Sequence, residues 1–183
     1  MRWIIGLLVA ACLVVASAYV LNPFGTATLD PRGRLVGYVP YILPGSSMMP
    51  TIQPGDSILV QTSAYARREP RVGEIVAFFP PESERASVFR VVATSGDRVK
   101  IVAGRVHRNG SPADEQFADT EWKKPYAREM AEVVVPQGEL FLLGDNRDNA
   151  NDSRVFGTVA RDAVIGRAIG IWDLASLSVS PFR

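Results

Sequence analysis

The sequence predicts a mainly β protein, an antiparallel β domain carried by a single N-terminal transmembrane helix; three observations carry that expectation. Trp3 to Leu21 is a run of about 19 residues without a charge, close to the ~20 that cross a bilayer as a helix. After it, short runs rich in β-branched and aromatic residues alternate with glycine, proline and asparagine turn formers. Only Thr120 to Met130 leaves room for a later helix, and Pro125 limits it.

Taken in order, Arg2 places positive charge before the apolar run, so the N-terminus is expected in the cytoplasm and the rest outside. Two processing patterns lie inside the run. Ala16-Ser17-Ala18 has the small-x-small form of a secretory cleavage site, and Val9-Ala10-Ala11-Cys12 resembles a lipoprotein box. The apolar run continues through Tyr19, Val20 and Leu21, which favours a retained anchor over residues 1–21. Residues 22–42 hold Pro23, Gly25, Pro31, Gly33, Gly37 and Pro40, a density that predicts an extended juxtamembrane connector.

The body is then expected over residues 43–183, with a small β cap around 98–138. Its strands are predicted at 56–60, 74–79, 88–92, 132–135, 139–143 and 163–172. Arg98 to His107 reads as a hairpin bending at Ala103-Gly104, and Asn109-Gly110 marks the next turn.

Composition narrows the function. The net charge is +1, from 20 basic and 19 acidic residues, with no clustered basic run of the kind nucleic-acid binding needs. One cysteine, Cys12, and one histidine, His107, exclude an intrachain disulfide and a multi-histidine metal site. No metal or organic cofactor is expected.

Two segments carry chemistry. Pro44-Gly45-Ser46-Ser47-Met48-Met49-Pro50-Thr51 is a small-residue loop ahead of a strand. Read alone, it is equally a plain turn with methionine as gap filler. Gly144-Asp145-Asn146-Arg147-Asp148-Asn149-Ala150-Asn151-Asp152-Ser153-Arg154 is a dense polar loop after an apolar strand. It lacks the closing glutamate of a calcium loop. Its aspartates and arginines can satisfy one another if buried.

Together, in this order, the two segments resemble the nucleophile and late motifs of type I signal peptidases. Between them Gly73-Glu74-Ile75-Val76 is similar to that family's Gly-Asp-Ile-Val strand, and Arg90 to Asp97 to its Lys-Arg-x-x-x-x-x-Gly-Asp block. Gly166-Arg167-Ala168 fits its closing strand. The resemblance runs from about Leu43 to Trp172. It implies a membrane-bound serine endopeptidase that cuts exported preproteins after small residues. It places the nucleophile at Ser47 and makes Asp145, Asp152, Arg154 and Arg90 organisers of the site. It lines the shallow substrate pockets with Ser46, Met49, Ile75 and Val88. It also implies an apolar rim against membrane lipid from Ile42, Leu43, Phe78, Phe79, Pro80 and Pro81. Strand alternation turns one of Phe78 and Phe79 inward and the other outward.

The sequence departs from the pattern at the general base. A serine hydroxyl needs a base to take its proton. The family's lysine should immediately precede Arg90, and that position is Phe89. Ala150 stands where many members place a serine beside the lysine, and Gly45 where some supply a second oxyanion hydroxyl. Of the substitutes, His107 lies on the outgoing hairpin strand and Lys100 is expected to face solvent. Two readings follow: a working peptidase with an unassigned base, or a non-catalytic homologue that binds exported peptides as an accessory or assembly factor. A self-cleaving repressor is disfavoured by the anchor and the lack of a DNA-binding domain.

Overall fold

The computed structural model of the protein describes residues 2–118 and 124–182. Helix α1, Arg2–Leu21, has 20 residues and mean hydropathy 2.7, with none buried. At 1.5 Å per residue it is about 30 Å long, a bilayer's hydrocarbon thickness.

The strands are β1 (Tyr38–Ile42), β2 (Ser57–Gln61), β3 (Ile75–Phe78), β4 (Ser87–Thr94), β5 (Arg98–Val102), β6 (Arg105–Arg108), β7 (Ser111–Pro112), β8 (Met130–Val134), β9 (Glu139–Leu143), β10 (Val159–Ala160), β11 (Val164–Asp173) and β12 (Ser178–Ser180). Every pairing is antiparallel. The larger sheet runs β1-β2-β11-β3-β4-β9-β10, with β12 beside β11, and the smaller runs β7-β6-β5-β8. Two short helices, α2 (Pro125–Arg128) and α3 (Ser153–Phe156), complete the described elements with helical turns at Arg32–Val36, Thr62–Tyr65 and Arg161–Ala163.

Two cores share one wall. On β4, Val88, Phe89 and Val91 face the core of the larger sheet, whereas Val92 and Ala93 face the second core under the smaller one. On β9, Leu140 and Leu142 join the first core and Phe141 and Leu143 the second. Both strands are therefore apolar on both faces, and their sequences read as continuous hydrophobic runs. A shift of register between Val91 and Ala93 moves β4 from one core to the other. The last residues of β9 lead into the polar loop 144–154, so the shared wall carries that loop at its end.

The juxtamembrane segment is not a plain extended connector. Residues 38–42 form β1, paired with β2 from Tyr38↔Gln61 to Ile42↔Ser57, and Arg32–Val36 make a helical turn. Pro40 is accommodated because β1 lies at the sheet's edge. Proline lacks a donor, but an edge strand needs none on its open side. Of the helix expected over 120–130, the described residues hold α2, which Pro125 opens at a position where its missing N–H is not needed. Residues 119–123 lie outside the described ones. The hairpin turns hold: Ala103, Gly104, Asn109 and Gly110 all have positive φ, as tight two-residue turns require.

Candidate active site

The Ser47 segment leaves β1 at Ile42 and returns to β2 at Ser57, with Met48 and Ile52 sunk in the first core. Those two apolar anchors fix the turn between them, which contains a cis bond at Met49-Pro50. Ser47 itself is half-exposed and lines a cleft of about 210 Å³ with Tyr41, Ile42, Leu43, Gly45, Val88 and Phe89. Strands β1 and β4 are separated in the sheet order by β2, β11 and β3. They form opposite cleft walls because the sheet curls.

The polar loop grips the Ser47 turn from behind. The Asn146 backbone N–H donates to the Ser47 carbonyl at 3.0 Å, and its side-chain amide to the Ser46 carbonyl at 3.1 Å. The Asn149 amide donates to Ser46 Oγ at 2.7 Å. Asp145 is fully buried and accepts from Thr51 Oγ1 at 2.6 Å and from Arg90 Nε and Nη2 at 2.8 and 2.6 Å. Arg90 also donates to the Gly73 carbonyl at 2.9 Å and lies 3.7 Å from the centre of the Phe117 ring. One carboxylate thus ties the Ser47 turn, β4 and the loop together through charge-assisted bonds.

Asp152 is also fully buried and caps α3. It accepts from the Gly144 N–H at 3.1 Å and takes both Nε and Nη2 of Arg154 at 2.8 Å. Ser153 Oγ accepts from the Leu142 N–H at 3.0 Å, which holds α3 against β9. The buried Arg147 donates to the Gly144 carbonyl at 2.9 Å and to Glu115. Gly144 is therefore held from both its polar groups.

Phe89 is buried, its ring 5.7 Å from that of Phe78, and it lines the cleft beside Ser47. Where a Cβ on Gly144 would stand, the Ala150 Cβ is 2.5 Å away, the Ser47 carbonyl oxygen 2.6 Å and Phe89 Cε1 3.3 Å. Ser47, Phe89 and Ala150 therefore converge on one point. Among the described residues none makes a hydrogen bond with the Ser47 hydroxyl.

Comparison with known proteins gives the chain's family. The family model described as "Signal peptidase, peptidase S26" matches residues 2–172. The chain belongs to that signal peptidase family. It is 36% identical to the probable signal peptidase I-1 of Synechocystis, over 71% of this chain and 68% of that one. To signal peptidase I U of Bacillus subtilis it is 32% identical, over 83% and 84%. A signal peptidase I structure from Enterococcus faecalis V583 aligns at 26% identity and TM-score 0.48, over 55% of this chain and 97% of that chain.

Within this family member, Ser47, Val88 and Phe89 line the cleft, and Asp145, Arg90, Asp152 and Arg154 form its buried support. Ser46 faces Asn149, while Met49 and Ile75 lie outside the cleft lining, Ile75 in the core opposite Arg90. His107 pairs with Lys100 and Pro112 on the smaller sheet and does not line the cleft. Lys100 is half-buried rather than fully in solvent. Phe78 turns inward and Phe79 is partly buried at the core's edge. Sequence reasoning passed over Thr51, Gly144, Asn146, Asn149, Glu115 and Phe117. The first four lie inside the two motifs and were visible as polar or small residues there; Glu115 and Phe117 carry no local signal.

Gly144→Ala tests the convergence. A methyl there must displace backbone oxygen of Ser47, so the expected cost is about 1–3 kcal/mol, as for other overpacked sites. It should appear as a lower urea midpoint together with weaker binding of peptides in the cleft.

Proposed function

We propose that the chain is a membrane-anchored serine endopeptidase that removes signal peptides from exported preproteins, with Ser47 as nucleophile. What carries the reading is the Ser47 hydroxyl, free in a cleft and braced from behind by the Asp145 loop, within a family match spanning 2–172. The cleft, at about 210 Å³, is smaller than the 300–1,000 Å³ usual for ligand pockets, which suits small side chains before the cut. Helix α1 would hold the body at the outer face of a bacterial inner membrane, with Arg2 on the cytoplasmic side.

Ser47 Oγ would attack the scissile carbonyl carbon, displace the amine and leave an acyl-enzyme for water to hydrolyse. The hydroxyl proton needs an acceptor. Phe89 has none to offer, and burial pushes the Tyr41 phenol up, so it stays protonated at neutral pH. Turnover is therefore expected about 10²- to 10⁴-fold below that of an enzyme with a placed base. Phe89 together with Ala150, which stands where many relatives place a serine, favours a second reading, in which the cleft binds exported peptides without cutting them.

A preprotein cleavage assay separates these. The expected result is slow cutting by the wild type, abolished in Ser47→Ala and unchanged in His107→Ala. Loss in His107→Ala would make that histidine the base. Peptide binding with no wild-type cleavage would select the accessory reading.

A further inference from the structure

Helix α1 carries each part of a cleavage signal: a cation at Arg2, an apolar stretch from Trp3 to Val15, and small residues at Ala16 and Ala18. The bond such a signal presents is Ala18–Tyr19. Every other residue of α1 is exposed, and Ala18 and Tyr19 alone are half-covered by the body. The cover is specific. The Tyr19 hydroxyl donates to the Leu29 carbonyl at 2.8 Å, and its carbonyl accepts from Arg34 Nη1 at 3.4 Å. The Arg34 guanidinium sits 5.0 Å from the Tyr19 ring centre and is itself held by the Thr28 carbonyl at 2.9 Å.

The last four carbonyls of a helix have no partner within it, and its C-terminal end favours a nearby cation. The last turn of α1 contains no basic residue. Arg34 supplies both needs from outside the helix. Helix ends otherwise fray at almost no cost, and a peptidase takes its substrate as an extended strand. Whether the last turn of α1 unwinds thus decides whether its bond can be presented.

We propose that Ala18–Tyr19 is a latent signal-peptidase cleavage site in the protein's own anchor, kept uncut by the clamp of Tyr19 on Arg34 and Leu29. The cutting agent is a second, active signal peptidase molecule. Hydrolysis breaks the bond from the Ala18 carbonyl carbon to the Tyr19 nitrogen. Water supplies the hydroxyl of the new Ala18 carboxyl and the proton of the new Tyr19 amine. The product is a body beginning at Tyr19, freed from the membrane. This inference takes the small-residue preference from the reading above and does not require Ser47 to be active.

The test uses the full chain with Ser47→Ala, in detergent–lipid micelles, as substrate for the Bacillus subtilis relative, alongside a cleavable preprotein. Intact-mass measurement follows the fragment that begins at Tyr19. Arg34→Ala is expected to release it at least about tenfold faster than the Ser47→Ala chain alone, and Tyr19→Phe to fall between. Adding Ala18→Phe to Arg34→Ala should abolish it. The proposal is overturned if Arg34→Ala resists while the preprotein is cut, if the chain with its clamp intact is cut as fast, or if cutting occurs elsewhere. A chain that keeps Ser47, incubated without added enzyme, reads Ser47 activity separately.

Discussion

Phe89→Lys is expected to raise the rate of preprotein cleavage about 10²- to 10⁴-fold, the usual contribution of a placed general base. The position is suited to it. The Phe89 ring edge and the Ser47 carbonyl approach the same point beside Gly144, and Phe89 lines the cleft that Ser47 opens into. A lysine there would have Phe78 and the first core around its stem. That desolvation disfavours the ammonium and lowers its pKa, leaving a neutral amine able to accept the serine proton. The cost falls on stability, because a buried aromatic ring is exchanged for a chain with a polar end. A loss of roughly 1–3 kcal/mol is expected. Rate and stability should therefore move in opposite directions, which a nonspecific disturbance would not produce. Adding Ala150→Ser gives the amine a hydroxyl neighbour, so the double variant should exceed the single one. The measurements are kcat/KM on a preprotein and the urea midpoint. An unchanged rate in both variants would show that a base at position 89 does not serve Ser47, and with no wild-type cleavage it would leave the peptide-binding reading.

Much of this arrangement was legible in the sequence, and the reason differs by element. Strands β3, β4, β9 and β11 were readable because burial on one or both faces writes β-branched and aromatic runs into them. The tight turns were readable because Ala103-Gly104 and Asn109-Gly110 combine a short connection with residues that accept positive φ. The edge strand β1 was missed because it is stabilised by pairing with β2 along one side, and Pro40 hides it. Strands β7, β10 and β12 are two or three residues long and carry no periodicity at all. At the site, the two motifs announced Ser47 and the Asp145 loop, but not the direction of their contacts. That Asn146 would grip the Ser47 turn through its backbone N–H depends on the loop's path and not on its side chains. Glu115 and Phe117 meet Arg147 and Arg90 from a different part of the fold. Such long-range partners become visible only when the smaller sheet is packed against the larger.

Asp145→Ala is expected to destabilise the protein by about 3–5 kcal/mol, the range for removing one partner of a buried ion pair. The carboxylate is wholly buried and accepts three hydrogen bonds, two of them from Arg90. Removing it leaves the Arg90 guanidinium nearly buried, with only the Gly73 carbonyl and the Phe117 ring for company among the described residues. Neither neutralises a charge. Thr51 simultaneously loses its acceptor, so the Ser47 turn is released at the end opposite Met48. Against a total stability of about 5–15 kcal/mol, this single change takes a large share. The control is Arg90→Met with Asp145→Leu, which removes the charge along with its partner and should recover most of the loss. If urea denaturation of the full chain in detergent shows the double variant as unstable as the single, the damage does not come from an uncompensated charge. If the double variant recovers stability but not activity, the pair's role is to hold Thr51, and through it Ser47, against the loop. That outcome is the expected one, because a leucine at 145 fills the space without accepting the Thr51 hydroxyl.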